Sequence, residues 1–169
     1  MIKIRKKEGA LGNEANRAES GTESDDTGKG FMKLSEAERG NLNLLKEAPD
    51  WCISDPDRHI LLSVAWKKQS LASMLLSSGD VAENMEKSLR KPMAAYGYKL
   101  EGFLEESLDG ATASGFRYSY TAQGIGMTGE SFSVKKGKTF YYIHCYLRSE
   151  LLEESLPVLK EIFASWEWL

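Results

Sequence analysis

Cysteine and histidine, two residue types that often build reactive sites, are scarce in this chain. Its 169 residues include two cysteines, Cys52 and Cys145, and two histidines, His59 and His144. A secreted disulfide framework normally carries more cysteines, so the two thiols are predicted to be buried in a protein of a reducing compartment. A zinc site takes about four ligands, whereas these four residues are scattered singly. The sequence therefore assigns no metal ligand.

Long apolar runs are also missing. No run reaches the roughly 18 residues of a membrane-spanning helix. The N-terminal MIKIRKKEGA has basic residues but lacks the apolar segment of a signal peptide. The formal net charge of −3 gives no global attraction to nucleic acid or to an anionic membrane. These absences predict a cytoplasmic protein with no nucleic-acid partner and no membrane span.

Residues 19–30 contain no apolar side chain. Such a stretch cannot offset its ordering entropy by burial. Residues 1–30 are therefore predicted to be a disordered tail that the domain does not need, with Met32 as an alternative start. Residues 31–169 are predicted to form a single domain.

The domain has clear strand and helix patterns. Turn signals and alternating apolar residues predict strands at 51–54, 60–67, 98–106, 112–122, 127–135 and 139–147. A helix capped by Ser78 or Asp80 is predicted to end at Gly97, with Pro92 kinking or splitting it. A second helix is predicted from about Ser155. Their apolar stripes are Val81, Met85, Leu89, Met93 and Tyr96 in the first helix, and Leu159, Ile162, Phe163 and Trp166 in the second.

Residues 124–129, GIGMTG, match the pattern G-x-G-x-x-G. A dinucleotide site needs this pattern between a strand and a helix, because the helix N-terminus receives the pyrophosphate. Here the strand-like ESFSVKK follows. The glycines are therefore predicted to ease a hairpin turn or bulge, with no nucleotide bound.

The strand at 139–147 is aromatic on both sides. One side carries Tyr141, Ile143, Cys145 and Leu147, and the other carries Phe140, Tyr142, His144 and Tyr146. This indicates either a doubly covered core strand or a surface whose Tyr142, His144 and Tyr146 contact a ligand or partner. Because His144 and Cys145 point to opposite sides, they cannot act as one catalytic pair. A core strand needs a hydrogen-bonded neighbour on each edge. The strand at 127–135 is predicted to be one neighbour of 139–147, and the strand at 60–67 the other.

The order of these elements resembles the PsbP-like fold. The matching segments span roughly 31–169 and comprise APDW at 48–51, HILLSVAW at 59–66, the helix near 80–96, and YYIHCYLRSELLEESLPVLKEIFASWEW at 141–168. That fold is shared by the extrinsic P protein of photosystem II, a Ran-binding nuclear transport adaptor and bacterial families that include effector chaperones of type VI secretion. The resemblance implies an α+β fold: a mainly antiparallel sheet with helices on both faces, an α/β/α sandwich.

The resemblance also implies a non-enzymatic protein-interaction module, adaptor or chaperone-like, with a protein partner and no cofactor. No catalytic residue is carried over from the family. The alternative is a small-ligand-binding protein or an enzyme that uses the Tyr142, His144 and Tyr146 face. Exposure of that face distinguishes the two.

Overall fold

The structure is a computed structural model that describes residues 2–4, 31–40 and 48–168. Two 3-10 turns, at Ala94–Tyr96 and Ser149–Leu151, flank the longer elements. The strands and helices in these ranges are, in chain order, β1 (Ile2–Ile4), β2 (Met32–Lys33), α1 (Glu36–Gly40), β3 (Trp51–Asp55), β4 (Ile60–Lys68), α2 (Ser78–Met93), β5 (Lys99–Leu108), β6 (Ala111–Ala122), β7 (Ile125–Lys136), β8 (Thr139–Arg148), α3 (Leu152–Ala164) and β9 (Trp166–Trp168).

Seven strands form one antiparallel sheet in the order β2-β3-β4-β8-β7-β6-β5. The α+β class is thereby confirmed. β8 lies between β4 and β7, and its register with β4 sets Leu62 opposite Cys145 and Lys67 opposite Phe140. The predicted pairing of 60–67 with 139–147 is confirmed. A strand with two apolar sides thus has hydrogen-bonded neighbours on both edges.

Two apolar clusters share the strands of this sheet. The tryptophan cluster packs with α3, and the tyrosine cluster packs with Met85, Leu89 and Met93 of α2. Successive residues of β8 divide between them, because strand side chains alternate in direction. The tryptophan cluster contains Trp51, Ile53, Ile60, Leu62, Val64, Leu108, Ala113, Phe132, Val134, Ile143, Cys145, Leu147, Leu159, Ile162, Phe163 and Trp166. The tyrosine cluster contains Phe116, Tyr118, Tyr120 and Tyr146.

Helix α2 begins one residue earlier than expected. Its cap is Ser77, so the prediction of Ser78 or Asp80 was wrong. The Ser77 hydroxyl accepts a hydrogen bond from the Asp80 amide, and the Asp80 carboxylate accepts one from the Ser77 amide, which forms a capping box. Pro92 lies in the last turn, and Gly97 has the left-handed φ of 71° that ends the 3-10 turn.

One member of the predicted α2 stripe does not face the core. Tyr96 is 52% exposed, whereas Val81 is buried. Glu86 is buried instead, and it accepts hydrogen bonds from Arg90 and from the Tyr98 hydroxyl. Periodicity alone placed Tyr96 on the stripe, but the change from α-helix to 3-10 turn at Ala94 rotates it away.

The predicted second helix was wrong at both ends. α3 begins at Leu152 and ends at Ala164, so Trp166 belongs to strand β9. Ser165 is the C-cap, where its amide donates to the Glu161 and Ile162 carbonyls and its hydroxyl also donates to the Ile162 carbonyl. In the extended chain that follows, Trp166 and Trp168 point the same way. Trp166 is buried as predicted, and Trp168 packs beside the tryptophan cluster.

Strand β1 pairs with β9, with Ile4 opposite Trp166. Three residues of the predicted disordered tail therefore form a paired strand. Residues 5–30 and 41–47 lie outside the described residues. The division into a tail and a single domain stays a prediction.

Candidate functional site

The three candidate residues share one side of β8. Tyr142, His144 and Tyr146 occupy alternate positions, and His144 has Ser63 of β4 and Ser131 of β7 as its cross-strand neighbours. The His144 and Tyr146 rings stack with centroids 6.4 Å apart. The sheet therefore brings the three side chains together, as the sequence predicted.

His144 is held neutral by its surroundings. Its Nδ1 lies 2.8 Å from the hydroxyl oxygen of Ser131. Burial lowers the pKa of His144 from 6.5 to about 4, because an imidazolium would lose its hydration. At neutral pH the ring is therefore uncharged, and it is able to accept or donate a hydrogen bond toward Ser131.

This side of β8 is only partly covered. Phe140 and Tyr146 are buried, and the Lys135 ammonium lies 5.8 Å from the centroid of the Phe140 ring. Tyr142 and His144 are half-buried. Phe140 and Tyr146 thus belong to the packed interior, while Tyr142 and His144 keep some access to solvent. Contact of these residues with a ligand or partner stays a prediction.

Ser131 and His144 have the atoms of a nucleophile and its base, but a substrate has no access to the Ser131 hydroxyl. Ser131 is fully buried under its neighbours, and a nucleophile must reach the substrate carbonyl. Cys145 lies on the other side of β8, inside the tryptophan cluster. Burial raises the pKa of the Cys145 thiol well above its usual value. The geometry therefore fits structural roles for these side chains.

The second cysteine is similarly unreactive. Cys52 is buried and unpaired, and burial raises its pKa to about 12. His59 lies in the turn before β4, where its φ is 51°. Among the described residues, no three side chains of His, Cys, Asp and Glu come together as a metal-ligand set. Nor is any helix in those ranges long and apolar enough to cross a membrane.

The G-x-G-x-x-G residues lie in a hairpin, as expected. Gly124 occupies the turn with a φ of 79°, and Gly126 and Gly129 lie within β7. A side chain at Gly129 would collide with the ring of Tyr118. The third glycine therefore serves packing of the tyrosine cluster. The absence of nucleotide binding stays a prediction.

A shallow depression of about 370 Å³ lies between the β3–β4 and β6–β7 turns. Its lining includes His59, Gln123, Met127 and Arg148, and none of the three candidate residues of β8. Arg148 is already 3.3 Å from the Glu150 carboxylate. The depression is therefore separate from the predicted site.

The sequence interpretation missed two exposed apolar features. Leu71, Met74 and Leu75 lie between β4 and α2, and Phe103 lies on β5; all four are largely exposed. The available signal was the segment SLASMLLSS, in which Leu71, Met74 and Leu75 recur at the three- and four-residue spacing of a helix although no element was predicted there. Such residues have no predicted core to enter.

Comparison with known proteins identifies the fold. No protein-family model matches the chain, and no curated protein matches it. The solution structure of cyanobacterial PsbP (CyanoP) from Synechocystis sp. PCC 6803 is similar, with 11% identity, coverage of 83% of each chain and a TM-score of 0.57. The crystal structure of LpqN, involved in cell envelope biogenesis of Mycobacterium tuberculosis, is 14% identical, with coverage of 82% of this chain and 78% of that one and a TM-score of 0.55. The chain therefore has the PsbP-like fold that its sequence resembles.

Proposed function

We propose that the chain is a non-enzymatic protein-interaction module, an adaptor or chaperone-like domain, and that β5 contacts its protein partner. The observation that carries this proposal is an exposed aromatic side chain on a free sheet edge. β5 is ten residues long, and among the described residues it pairs only with β6. An edge strand leaves backbone N–H and C=O groups open to a further strand.

The side chains of β5 suggest the chemistry of the partner. Phe103 is 55% exposed although its ring contacts Phe116 edge to face, with centroids 6.3 Å apart. The flanking Glu101 and Glu105 are exposed. An extended segment with an apolar side chain between basic residues would complement this edge. A register shift between Leu100 and Gly102 limits the length of any added strand to the part that follows.

The layered architecture supports a binding role. We infer an α/β/α sandwich, because α3 packs against the tryptophan cluster and α2 against the tyrosine cluster, and alternate residues of β8 belong to different clusters. When helices cover both faces of a sheet, unpaired backbone N–H and C=O groups are accessible at its edge and not on its faces. The burial of Ser131 and Cys145 supports the non-enzymatic part of the proposal. A cytoplasmic location remains a sequence-based prediction.

Site-specific photo-crosslinking tests the proposal. Benzoylphenylalanine placed at position 103 in the source cells should yield a discrete crosslinked protein, and the same group at Ile125, which is 38% exposed, serves as the matched control. Phe103→Ser in a purified complex should release the partner. An identical crosslink pattern at the two positions, or none at position 103, would reject β5 as the contact.

Small-ligand binding is the second candidate function. It rests on the half-buried Tyr142 and His144, which keep part of this face accessible. Titration of the purified protein with metabolite extracts, followed through the His144 imidazole resonances, tests it. Resonances that do not move with any extract would remove this candidate.

A further inference from the structure

The turn between β4 and α2, residues 69–77, presents apolar side chains to solvent; we name it the leucine turn. Leu71 is 89% exposed and Leu75 is 93% exposed, with Met74 at 46% between them. Scattered single apolar residues are ordinary on a surface, whereas these three occur within five positions. The grouping indicates a surface that becomes covered.

Hydrogen bonds fix the backbone of the leucine turn. Ser70 and Ser73 bond to each other through amides and hydroxyls, including a 2.8 Å contact from the Ser70 amide to the Ser73 hydroxyl. Lys135 donates from its ammonium to the carbonyls of Met74 and Leu76, at 2.7 and 3.0 Å. These bonds fix the backbone in advance, so little ordering entropy is lost when the leucines become buried.

Lysines surround the leucine turn. Lys67 and Lys68 immediately precede it at the end of β4, and Lys136 and Lys138 flank the adjacent β7–β8 turn. Thr139 is in register with both Lys68 and Lys136, which places the two strand ends side by side. The Gln69 amide also bonds to the Lys138 carbonyl, at 2.9 Å. All four lysines are exposed.

Three acidic side chains at this end of the sheet accept hydrogen bonds from backbone amides. Asp50 accepts from the Trp66 amide, Asp80 from the Ser77 amide and Asp109 from the Trp168 amide. Lysines thus cluster near the leucine turn, although the whole chain has a formal net charge of −3.

We propose that the leucine turn inserts into the headgroup region of an anionic lipid membrane while the neighbouring lysines bind lipid phosphates. Projecting leucines suit the acyl boundary of a bilayer, which needs no matching groove. Long lysine side chains reach the headgroups from beside the inserted residues. This is peripheral binding, distinct from a membrane span and from the β5 contact proposed above.

Vesicle flotation with the full chain tests this proposal. The protein should float with phosphatidylcholine vesicles that contain phosphatidylglycerol, and much less with phosphatidylcholine alone. Leu71→Ser with Leu75→Ser should weaken binding by about tenfold or more for each leucine. Lys136→Glu with Lys138→Glu should weaken it by about fivefold per lysine, and only toward the anionic vesicles.

Matched controls lie at the opposite end of the sheet. Ile125→Ser removes another exposed apolar side chain, and Lys91→Glu with Lys99→Glu reverses two other lysines; these variants should bind like the unaltered protein. All substituted side chains are exposed, and thermal unfolding of each variant checks that it is folded at the temperature of the assay. Absence of flotation by the unaltered protein overturns the proposal, as does flotation that survives the double leucine substitution. Loss of a protein partner by the leucine variant, without any vesicle binding, would instead identify a protein-docking surface.

Discussion

His144 makes the stability of the protein depend on pH. A fall of its pKa from 6.5 to about 4 on folding corresponds to roughly 3 kcal/mol at most. The unfolded chain binds the proton more readily, so this stability is present above pH 6.5 and is lost as the pH falls toward 4. Glu86, whose pKa is lowered mainly by Arg90, acts in the same direction, whereas Glu130, whose pKa is raised by burial, acts in the opposite one.

Comparison of the unaltered protein with His144→Asn isolates the histidine. Asn keeps a polar group near Ser131 but does not titrate. The free energy of unfolding from urea titrations at pH 7 and at pH 4.5 should therefore change less in the variant. Equal pH dependence in the two proteins would show that the His144 proton is not the cause.

Glycine is needed at one position of the G-x-G-x-x-G pattern and is dispensable at another within the same strand. A Cβ at Gly129 would collide with Tyr118, whereas one at Gly126 would lie 3.7 Å from Ser149. We expect Gly129→Ala to destabilise by about 1–3 kcal/mol through overpacking and Gly126→Ala to have a small effect. Chemical denaturation measures both. A similar loss in the two variants would contradict the packing role of Gly129.

Trp166 and Trp168 should contribute unequally. Trp166 is 2% exposed in the tryptophan cluster, and Trp51 meets it edge to face. Trp168 is half-buried, and its indole N–H donates to the Leu108 carbonyl at 2.8 Å. Trp166→Ala should cost about 3–5 kcal/mol, and Trp168→Ala should cost less, as measured by the free energy of unfolding. A larger loss at Trp168 would mean that β9 is anchored through its outer residue.

At the scale of elements, β8 and β5 differ in how their backbone is protected. β8 is paired on both edges, whereas β5 is paired on one edge by the strands that the structure describes. In hydrogen exchange followed by NMR, amides from Tyr141 to Leu147 should therefore all exchange slowly. In β5, amides that point away from β6 should exchange faster. Uniform protection of β5 would indicate that another segment covers its edge.

The sheet was largely predictable from the sequence, because its signals are local. Alternation indicates the strands, the Asp109-Gly110 turn marks where β5 ends and β6 begins, and the two apolar sides of β8 require a second neighbour such as β4. The end of α3 was not predictable from periodicity, since Trp166 suits a helical stripe and a buried strand equally. In the folded chain Trp166 pairs with Ile4 of β1, a partner that is distant in sequence.

The candidate site was predictable in its placement but not in its environment. Alternation alone puts Tyr142, His144 and Tyr146 on one side of β8. Their surroundings depend on groups distant in sequence, such as Ser63 of β4, which lies opposite His144. The leucine turn was missed for a different reason: its apolar residues have helical spacing but lie in a short turn, and only the folded structure shows that they face solvent.

At the scale of the whole molecule, the proposed contacts lie on different parts of the sheet. The leucine turn and its lysines lie at the end where β4 stops and β8 begins, while Phe103 lies midway along the β5 edge. Binding at one should leave the other free. The photo-crosslink from position 103 should therefore form equally well in the absence and presence of anionic vesicles.

The two clusters also give different spectroscopic signals. The tryptophans lie with one cluster: Trp51 and Trp166 belong to it, Trp168 packs against it, and Trp66 contacts Tyr141 beside it. Tyr118, Tyr120 and Tyr146 belong to the other. Selectively excited indole fluorescence therefore reports the α3 side, and tyrosine near-ultraviolet dichroism is weighted toward the α2 side. Because both clusters are built on the same strands, the two signals should give one melting curve on heating. If one cluster unfolded before the other, the two melting curves would separate. A half-folded state is therefore detectable without an added label.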